Sequence, residues 1–246
     1  MKKVLLVSSL VAISGLAQAD TLGLTIGVNA WQQSFDGSVR SGNLGSSIDL
    51  ENDLDYDGDT GANVYVSFEH PIPLIPNFRI ENTELKVEEN DTLIRDVDFD
   101  GGSYVTATPF EATVDLSHTD LTAYYEVLDN WVSLDVGVTA RFFQEGVELS
   151  NLRQTGTVEI DYTLPMLYAA VKFELPLSGL YVGGKANASN YDKRDVLDYS
   201  VNLGYETDLG LGLELGYRSL SVEESSRQED YDITVDGAYA GVFFHF

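Results

Sequence analysis

The chain has no cysteine among its 246 residues, and this absence removes several classes of protein at once. Without a thiol there can be no disulfide framework, no thiolate zinc site and no cysteine nucleophile. Basic residues are also few, since 14 lysines and arginines stand against 40 aspartates and glutamates. The net charge of −26 argues against nucleic-acid binding, because phosphate recognition needs a basic surface. Divalent cations, basic peptides and solvent are the partners that such a charge favours.

Long apolar runs are confined to the first residues, MKKVLLVSSLVAISGLAQAD. Two lysines precede an apolar segment over residues 4–16, and a small-residue Ala-Gln-Ala sequence follows. This is the pattern of a secretory signal peptide, and its apolar segment is shorter than the roughly 20 residues of a transmembrane helix. We expect a signal peptide over residues 1–19, cleavage after Ala19, and one exported domain over residues 20–246.

After this leader the dominant pattern is a strict alternation of apolar and polar residues, which indicates extended strands. The stretch LGLTIGVNA, from Leu22 to Ala30, places leucine, isoleucine, valine and alanine on one face. Its other face carries glycine, threonine and asparagine, and later stretches add full charges to this face. Apolar faces of this length are typical of the tilted strands of a transmembrane β-barrel. Because lipid does not tolerate open strand edges, such strands must close into a barrel.

Short and long connections alternate along the chain, as they do at the two ends of a bacterial outer-membrane barrel. Short turns such as VLDN at Val127–Asn130 contrast with long acidic segments such as residues 36–60. This pattern predicts an all-β fold, a single transmembrane antiparallel up-and-down β-barrel of ten strands. The predicted strands cover residues 21–33, 61–70, 78–90, 112–127, 131–146, 157–174, 179–190, 196–206, 211–222 and 231–246. Eight strands are the alternative, because the region 89–110 is ambiguous.

The last residues add a signal for the outer membrane. Alanine, valine and phenylalanine alternate along AYAGVFFHF, which ends at Phe246. A terminal aromatic residue on the apolar face resembles the signature that the outer-membrane barrel assembly machinery recognises. We therefore expect a multi-pass barrel in the cell outer membrane with both mature termini in the periplasm. Its expected partners are outer-membrane lipid, lipopolysaccharide and, through Phe246, the assembly machinery.

Several stretches resemble a family of small, porin-like outer-membrane β-barrel proteins of Gram-negative bacteria. They are EHPIPLIPNFRIE, SHTDLTAYYEVLDNWVSLDVG, LPMLYAAVKFELPLSGLYVGG and GLGLELGYRSL. The tripeptides IPN and LDN within them fall at predicted short turns. The resemblance implies a barrel of this family and no particular activity or substrate.

Two segments, DLDYDGDTG and DVDFDGGSY, space three aspartates by two residues and then place a glycine. A helix–loop–helix calcium site needs a glutamate at position 12, where these segments have Val64 and Ala107, so that site is excluded. In an extended chain the aspartates would share one face, towards water or the lumen. The apolar residues between them would then point outward: Leu54, Tyr56, Val97 and Phe99. The alternative is a weakly bound Ca²⁺ or Mg²⁺ between the loops, with ligands Asp53, Asp55, Asp57, Asp96, Asp98 and Asp100.

Charged residues on the polar face predict the contents of the barrel lumen. Side chains just fill an eight-stranded barrel, so ten strands stand between a filled barrel and a narrow pore. Opposite charges inside favour pairing, because an unpaired charge away from water is costly. We predict a lumen charge network of Glu69, Asp135, Arg141, Lys172, Glu174, Lys185, Glu214 and Arg218.

These features favour a structural or surface-interaction role, or restricted passage of small solutes. A narrow cation-preferring porin is the alternative, because the long loops form an acidic mouth. Acidic loops on ten strands also resemble the omptin proteases, which use paired aspartates and an Asp–His couple. His118 and Asp120 share a strand face, whereas His70 and His245 lie at predicted periplasmic ends. A hydrogen-bonded lumen histidine is the simpler interpretation of His118, so we expect no catalytic residue and no resident cofactor.

Overall fold

The computed structural model describes residues 22–41, 45–50, 58–225 and 229–246, so the leader and the first aspartate triplet lie outside the described residues. No helix among these residues is long and apolar enough to cross a membrane. They form 15 strands, which are β1 (Gly23–Ser41), β2 (Ser47–Asp49), β3 (Asp59–Glu69), β4 (Asn77–Thr83), β5 (Lys86–Thr92), β6 (Val97–Phe99), β7 (Gly102–Tyr104), β8 (Pro109–Asp115), β9 (His118–Leu128), β10 (Val132–Ser150), β11 (Thr155–Glu174), β12 (Leu180–Tyr191), β13 (Arg194–Glu206), β14 (Leu211–Ser225) and β15 (Glu229–His245).

Ten of these strands close into one antiparallel barrel. Around the wall the order is β10–β11–β12–β13–β14–β15–β1–β3–β4–β9, and β9 pairs with β10 to complete the ring. The first and last strands pair from Thr25 opposite His245 to Ser41 opposite Glu229. The prediction of ten strands is confirmed. The region 89–110 adds no strand to the ring, because β5 continues the line of β4 and β8 leads into β9.

The two ends of the barrel differ. The end that carries Gly23 and His245, here named the termini end, has short turns alone. The opposite loop end has the two long connections, from β1 to β3 and from β4 to β9, together with tight turns such as the one between Tyr191 and Arg194.

Towards the termini end, the outward side chains of β1 up to Ala30, and Leu22 just before it, are apolar or small. The other nine ring strands repeat this pattern, as in β11 from Leu167 to Phe173. We name this girdle the belt, and its apolar surface on a closed barrel is suited to lipid.

Beyond the belt the polarity of the wall reverses. In β1 the outward residues become Gln32, Ser34 and Asp36, while Phe35 and Val39 point inward and are buried. The same strands therefore have an apolar outside in the belt and an apolar inside above it. We name the part above the belt the head. It comprises residues 32–41, 45–50, 84–117, 143–164, 189–196, 219–225 and 230–236.

The head is built on two upward extensions of the barrel sheet, which enclose one apolar core. On one side β2, β1, β15 and β14 continue upward, and on the other side β5, β8, β10 and β11 do. The ring opens between them, because β11 pairs with β12 only from Leu167 onward. The core members are Phe35, Val39, Ile48, Leu50, Leu85, Val87, Leu93, Val97, Phe99, Tyr104, Phe110, Ala112, Val114, Leu116, Phe143, Val147, Leu149, Val158, Ile160, Leu164, Val196, Leu220, Val222, Tyr231, Ile233 and Val235, with Trp31 and Met166 beneath them.

The hairpin β6–β7 joins this core at the loop end. Val97 and Phe99 are buried to 1% and 0% exposure, so their predicted outward orientation is wrong. They point inward because the hairpin adds its apolar face to the core of the head rather than standing as a barrel rim in lipid. The Tyr104 hydroxyl donates to the Leu149 carbonyl at 2.8 Å, and the Ser46 backbone N–H donates to the Asp98 carbonyl at 2.7 Å. These bonds attach the hairpin to β10 and to the segment before β2.

Inside the belt, aromatic rings lie over glycines of the neighbouring strand. Tyr181 stands directly opposite Gly204, and a Cβ atom on that glycine would lie 2.0 Å from the ring carbon Cζ. The same cross-strand arrangement recurs at Gly27 with Tyr65, Gly212 with Phe243 and Gly216 with Tyr239. Glycine on the inner face thus makes room for rings that lie flat against the wall, which is why the polar face of these strands is rich in glycine.

Candidate functional site

A layer of arginines and carboxylates crosses the lumen directly below the apolar core of the head. Arg141 on β10 is fully buried and donates to both oxygens of Asp120, at 2.8 and 2.7 Å. Its Nη2 also donates to Asp198 on β13 at 2.5 Å. Arg218 on β14 donates to the same Asp198 carboxylate at 2.9 and 2.7 Å. Asp198 thus joins two arginines, and the layer connects four strands across the interior.

A second set of charges meets at Glu81 on β4. Lys185 on β12 reaches its two carboxylate oxygens at 2.8 and 2.6 Å, and Arg79 donates to it at 2.9 Å. Asn63 on β3 donates to the same carboxylate at 2.9 Å. Because β12 and β4 lie on opposite sides of the ring, the Lys185–Glu81 pair spans the lumen. The guanidinium of Arg79 also lies over the Tyr65 ring, with its Cζ atom 3.7 Å from the ring centroid. Arg79 is therefore held by the Glu81 carboxylate and by a cation–π contact with Tyr65.

The eight residues of the predicted lumen network fall into three groups. Arg141, Lys185 and Arg218 lie in the lumen, but their partners are Asp120, Glu81 and Asp198, which the predicted set omitted. Lys172 and Glu174 pair with each other at 2.7 Å and are about half exposed at the termini end. The remaining three acids, Glu69, Asp135 and Glu214, face the lumen without a basic partner within 4.0 Å among the described residues.

Two adjoining chambers occupy the lumen between the Glu81 charge set and the termini end. The deep chamber has a volume of about 220 Å³ and the mouth chamber about 200 Å³. Six residues line both and form the neck between them: Tyr65, Arg79, Asp135, Tyr168, Lys172 and Tyr181. Glu214 lines only the deep chamber, and Glu69 lines only the mouth chamber. The lumen therefore holds a polar, tyrosine-lined vestibule on the side of the chain termini.

Comparison with known proteins identifies the fold and nothing finer. No family model and no curated protein matches the sequence. Among solved structures, the outer-membrane protease OmpT from Escherichia coli is 9% identical with a TM-score of 0.57, covering 95% of this chain and 100% of its own. The chain has the fold of an outer-membrane β-barrel. The translocator domain of the autotransporter NalP from Neisseria meningitidis also matches, with 14% identity, a TM-score of 0.45 and coverage of 98% and 95%.

This outer-membrane barrel fold, together with the belt, supports a location in the outer membrane. At 9% identity the likeness to a protease concerns the fold alone, so the chemistry must be judged from the side chains. The histidine relevant to such chemistry is His118, because His70 lies in the turn before β4 and His245 ends β15, both at the termini end.

His118 in this outer-membrane barrel is buried beneath the core of the head, with 3% of its surface exposed. Its Nδ1 lies 2.8 Å from the Leu116 carbonyl oxygen, and its ring packs against Phe143 with centroids 5.3 Å apart. Asp120 shares the strand face as predicted, but both of its oxygens are engaged by Arg141. The Asp–His couple is therefore not formed.

Ligand atoms of His118, Asp120 and Asp198 lie within 4.8 Å of one another, which raises the question of a metal ion. Two guanidinium groups already bind these carboxylates: Arg141 holds both aspartates and Arg218 holds Asp198. A divalent cation would need to displace them or lie beside two fixed positive charges. The donor set therefore fits arginine pairing better than a metal.

The second aspartate triplet of the barrel is used for local structure. Asp96 accepts a hydrogen bond from the Thr106 backbone N–H at 2.7 Å, and Asp98 accepts one from the Ser103 hydroxyl. Asp100 reaches across to the Thr157 backbone N–H at 3.2 Å. The carboxylates are exposed and each accepts a hydrogen bond from a different segment, so they do not converge on one point. Asp53, Asp55 and Asp57, the rest of the predicted ligand set, lie outside the described residues.

A different group of acids lies side by side on the outer surface of the head. In the strand register Asp195 stands directly opposite Glu223, and Glu223 stands directly opposite Asp232. All three side chains are exposed and point outward. We name them the acidic row. Like charges in direct cross-strand positions repel one another, so the row has a built-in preference for a cation beside it. Its residue types gave no local sequence signal, because the three strands are brought together only by the barrel register.

Proposed function

We propose that this protein is a closed outer-membrane barrel that holds a rigid acidic head at the cell surface. The head binds cationic groups there, chiefly divalent cations that bridge it to the phosphates of lipopolysaccharide. The observation that carries the proposal is the acidic row of Asp195, Glu223 and Asp232, three carboxylates in neighbouring positions on three strands. The proposal includes no catalytic step, since the buried His118 has no access to a surface substrate.

The position of the acidic row supports a ligand in the outer leaflet. Asp195 and Glu223 line a shallow groove of about 370 Å³ on the outside of the barrel, which also includes Leu167 and Leu197. Leu167 is 73% exposed and belongs to the belt, so the groove lies where the lipid-facing surface meets the acidic head. A lipid with an anionic headgroup would place its phosphates at this level. Divalent ions between phosphate and carboxylate would then remove the repulsion on both sides.

The contents of the lumen support a barrel that does not conduct. The core of the head fills the interior above the belt with apolar side chains, and the layer around Asp198 crosses the interior below it. A passage for hydrated ions would need to cross both. Restricted passage of solutes and a narrow cation-preferring pore are therefore the less favoured functions.

The proposed orientation has the head outside and the termini end in the periplasm. This places the long acidic segments at the cell surface, as bacterial barrels place their longer loops. It also leaves Phe246 at the periplasmic side, where it is 65% exposed and its ring packs against Phe244 with centroids 4.5 Å apart. An accessible terminal aromatic residue is what recognition by the assembly machinery needs.

Two measurements test this function. Single-channel recording of the refolded protein in a planar bilayer should give a silent membrane, with heat-modifiable gel mobility as proof that the barrel is folded. Steady discrete openings would show a conducting pore and would refute the proposal that the barrel is closed.

Binding of the refolded protein to lipopolysaccharide-coated vesicles tests the surface role. Binding should rise with calcium and fall on its removal by a chelator. The triple variant D195N/E223Q/D232N should lose the calcium-dependent part. A matched triple variant with the same charge change on other exposed head acids, E88Q/E111Q/E159Q, should keep it. Equal loss in both would mean that net charge alone, rather than the acidic row, attracts the cations.

A further inference from the structure

The lumen of the belt has an imbalance of charge that pairing among its own residues does not remove. Every described lysine and arginine that faces it has a carboxylate within 3 Å: Arg79 with Glu81 at 2.9 Å, Arg141 with Asp120 at 2.7 Å, Lys172 with Glu174 at 2.7 Å, Lys185 with Glu81 at 2.6 Å and Arg218 with Asp198 at 2.7 Å. Glu69, Asp135 and Glu214 have none within 4.0 Å among the described residues. Because Glu81 and Asp198 each pair with two basic side chains within 3 Å, five basic side chains face seven carboxylates, and the surplus on the walls of the lumen is two negative charges.

The three acids without a basic partner are placed along the length of the vestibule. Glu69 lines the mouth chamber, Asp135 lines the neck and Glu214 lines the deep chamber. Glu69 accepts a hydrogen bond from the Tyr124 hydroxyl at 2.7 Å, and Glu214 accepts one from the Asn202 amide at 2.9 Å. Neutral donors of this kind position a carboxylate without cancelling its charge. A partly buried carboxylate without a counter-charge favours a cation at the same place.

Polar atoms in the deep chamber also lack partners. The Oδ1 atom of Asp135 and the Oδ1 atom of Asn29 are buried acceptors without a hydrogen bond. Trp31, only 1% exposed, lines the same chamber, and its indole N–H has no acceptor. Buried polar groups are almost always satisfied, so three unpartnered atoms around one cavity indicate that the cavity holds a polar ligand or water.

The aromatic lining favours an organic cation over a bare metal ion. Tyr65, Tyr168 and Tyr181 line both chambers. Arg79 and Lys172 already lie over Tyr65 and Tyr181, 3.7 and 5.5 Å from the ring centroids, so the Tyr168 ring and the nearby carboxylates remain for a ligand. Alkylammonium ligands use this combination, because their methylene groups pack on rings while their charged ends bind carboxylates. A compact metal ion would instead need several oxygens at one point, and the three acids are spread over two chambers.

We propose that the vestibule is a binding site for a small linear diamine, with one ammonium group at Glu214 and Asp135 and the other towards Glu69. The methylene chain lies in the neck against Tyr168. The site opens at the termini end, which makes it separate from the acidic row on the head. It is therefore independent of the function proposed above.

The test uses 1,4-diaminobutane and the refolded full chain in detergent micelles. The chain has two tryptophans, and the W131F variant leaves Trp31, which lines the deep chamber, as the only one. Titration should change the Trp31 emission in a saturable way. When D135N and E214Q are added to the W131F variant, its affinity for 1,4-diaminobutane should fall about tenfold or more. The two substitutions remove charge-assisted hydrogen bonds and keep the shape of the side chains. The E159Q variant, with an exposed acid of the head replaced, should bind like the parent.

Three comparison results would overturn the proposal. A saturable response of equal size with 1,4-butanediol, which has the same length and no charge, would show that the carboxylates are not used. Calcium chloride that gives the same Trp31 response and the same loss in D135N/E214Q would identify the occupant as an inorganic counter-ion. Diamine that binds without any change at Trp31 would bind the acidic exterior instead. Mobility of unheated samples on gels confirms that each variant is folded.

Discussion

Replacing Asp198 by asparagine tests whether the layer below the head is a stabilising element. Asp198 is buried and receives three charge-assisted hydrogen bonds, one from Arg141 and two from Arg218. The asparagine side chain has nearly the same shape but no charge, so two buried guanidinium groups would lose the anion between them. Breaking a buried ion pair by removing one partner costs about 3–5 kcal/mol.

The arginines keep some partners in this variant, which sets the expected value near the lower end. Arg141 retains both bonds to Asp120, and Arg218 retains the Thr83 hydroxyl at 3.2 Å with Glu81 at 3.8 Å. We therefore expect D198N to lower the free energy of unfolding by about 3 kcal/mol. Equilibrium unfolding in urea of the protein refolded into lipid vesicles, followed by tryptophan emission, measures this change.

Asp195→Asn is the matched control, because Asp195 lies on the same strand but is exposed. Its effect should stay within about 0.5 kcal/mol, since it relieves repulsion in the acidic row and breaks no buried pair. The double variant D198N/R218M should cost less than the sum of the two single variants, by about 1 kcal/mol or more. A loss below about 1 kcal/mol for D198N, or strict additivity with R218M, would refute the view that this layer is one coupled unit.

Three further changes probe other parts of the molecule. Phe99→Ala removes a fully buried ring from the core of the head and should lower the free energy of unfolding by about 3–5 kcal/mol. Protease should then digest the head rapidly while the belt strands resist. An unchanged digestion rate would contradict the role of Phe99 in this core. Gly204→Ala would place a Cβ atom 2.0 Å from the Tyr181 ring and so force that ring to move. The free energy of unfolding should fall by about 1–3 kcal/mol. A change of less than about 0.5 kcal/mol would contradict the close contact. Burial and the neighbouring Asp100 raise the pKa of Tyr104 above its usual value of 10.0, so the stability that its neutral hydroxyl contributes is present below pH 10 and is lost as the pH rises further. The head should therefore become more sensitive to protease above pH 10. The Y104F variant lacks the ionisable group and should show less of this change.

The barrel could be predicted from the sequence because its physics is local and repetitive. A period of two in apolar residues identifies each strand, and lipid requires the strands to close. The predicted spans agree with the ring strands within a few residues in the belt, as for β3 at Asp59–Glu69 against 61–70. The strands continue further above the membrane than predicted, as for β1, which extends to Ser41.

The head escaped prediction because alternation does not reveal which face lies inside. The signal is present as a change of phase: in β1 the apolar residues occupy even positions up to Ala30, and odd positions at Trp31, Phe35 and Val39. In β15 the change occurs between Val235 and Ala238. Reading each strand with one fixed inner face, as a lipid-embedded strand requires, hides this shift.

The charge pairs of the lumen could be predicted only as a set of candidates. Alternation shows that Arg79 and Glu81 face inward, because Phe78 and Ile80 flank them on the lipid side. It cannot show that Lys185 reaches Glu81, since the two lie 104 residues apart on opposite walls. Partner choice across a lumen depends on barrel diameter and strand stagger, which no single strand encodes. The acidic row is missing from the predictions for the same reason.

The continuity of strands between belt and head has a mechanical consequence. Strands β1, β10, β11, β14 and β15 pass from one region to the other without a break, and no loop separates the two regions along them. The head therefore has no hinge about which to tilt, and its height and angle above the membrane are set by the barrel. A partner held at the acidic row would be presented at a fixed distance from the bilayer, and a pull on that partner would load the strands of the barrel wall directly.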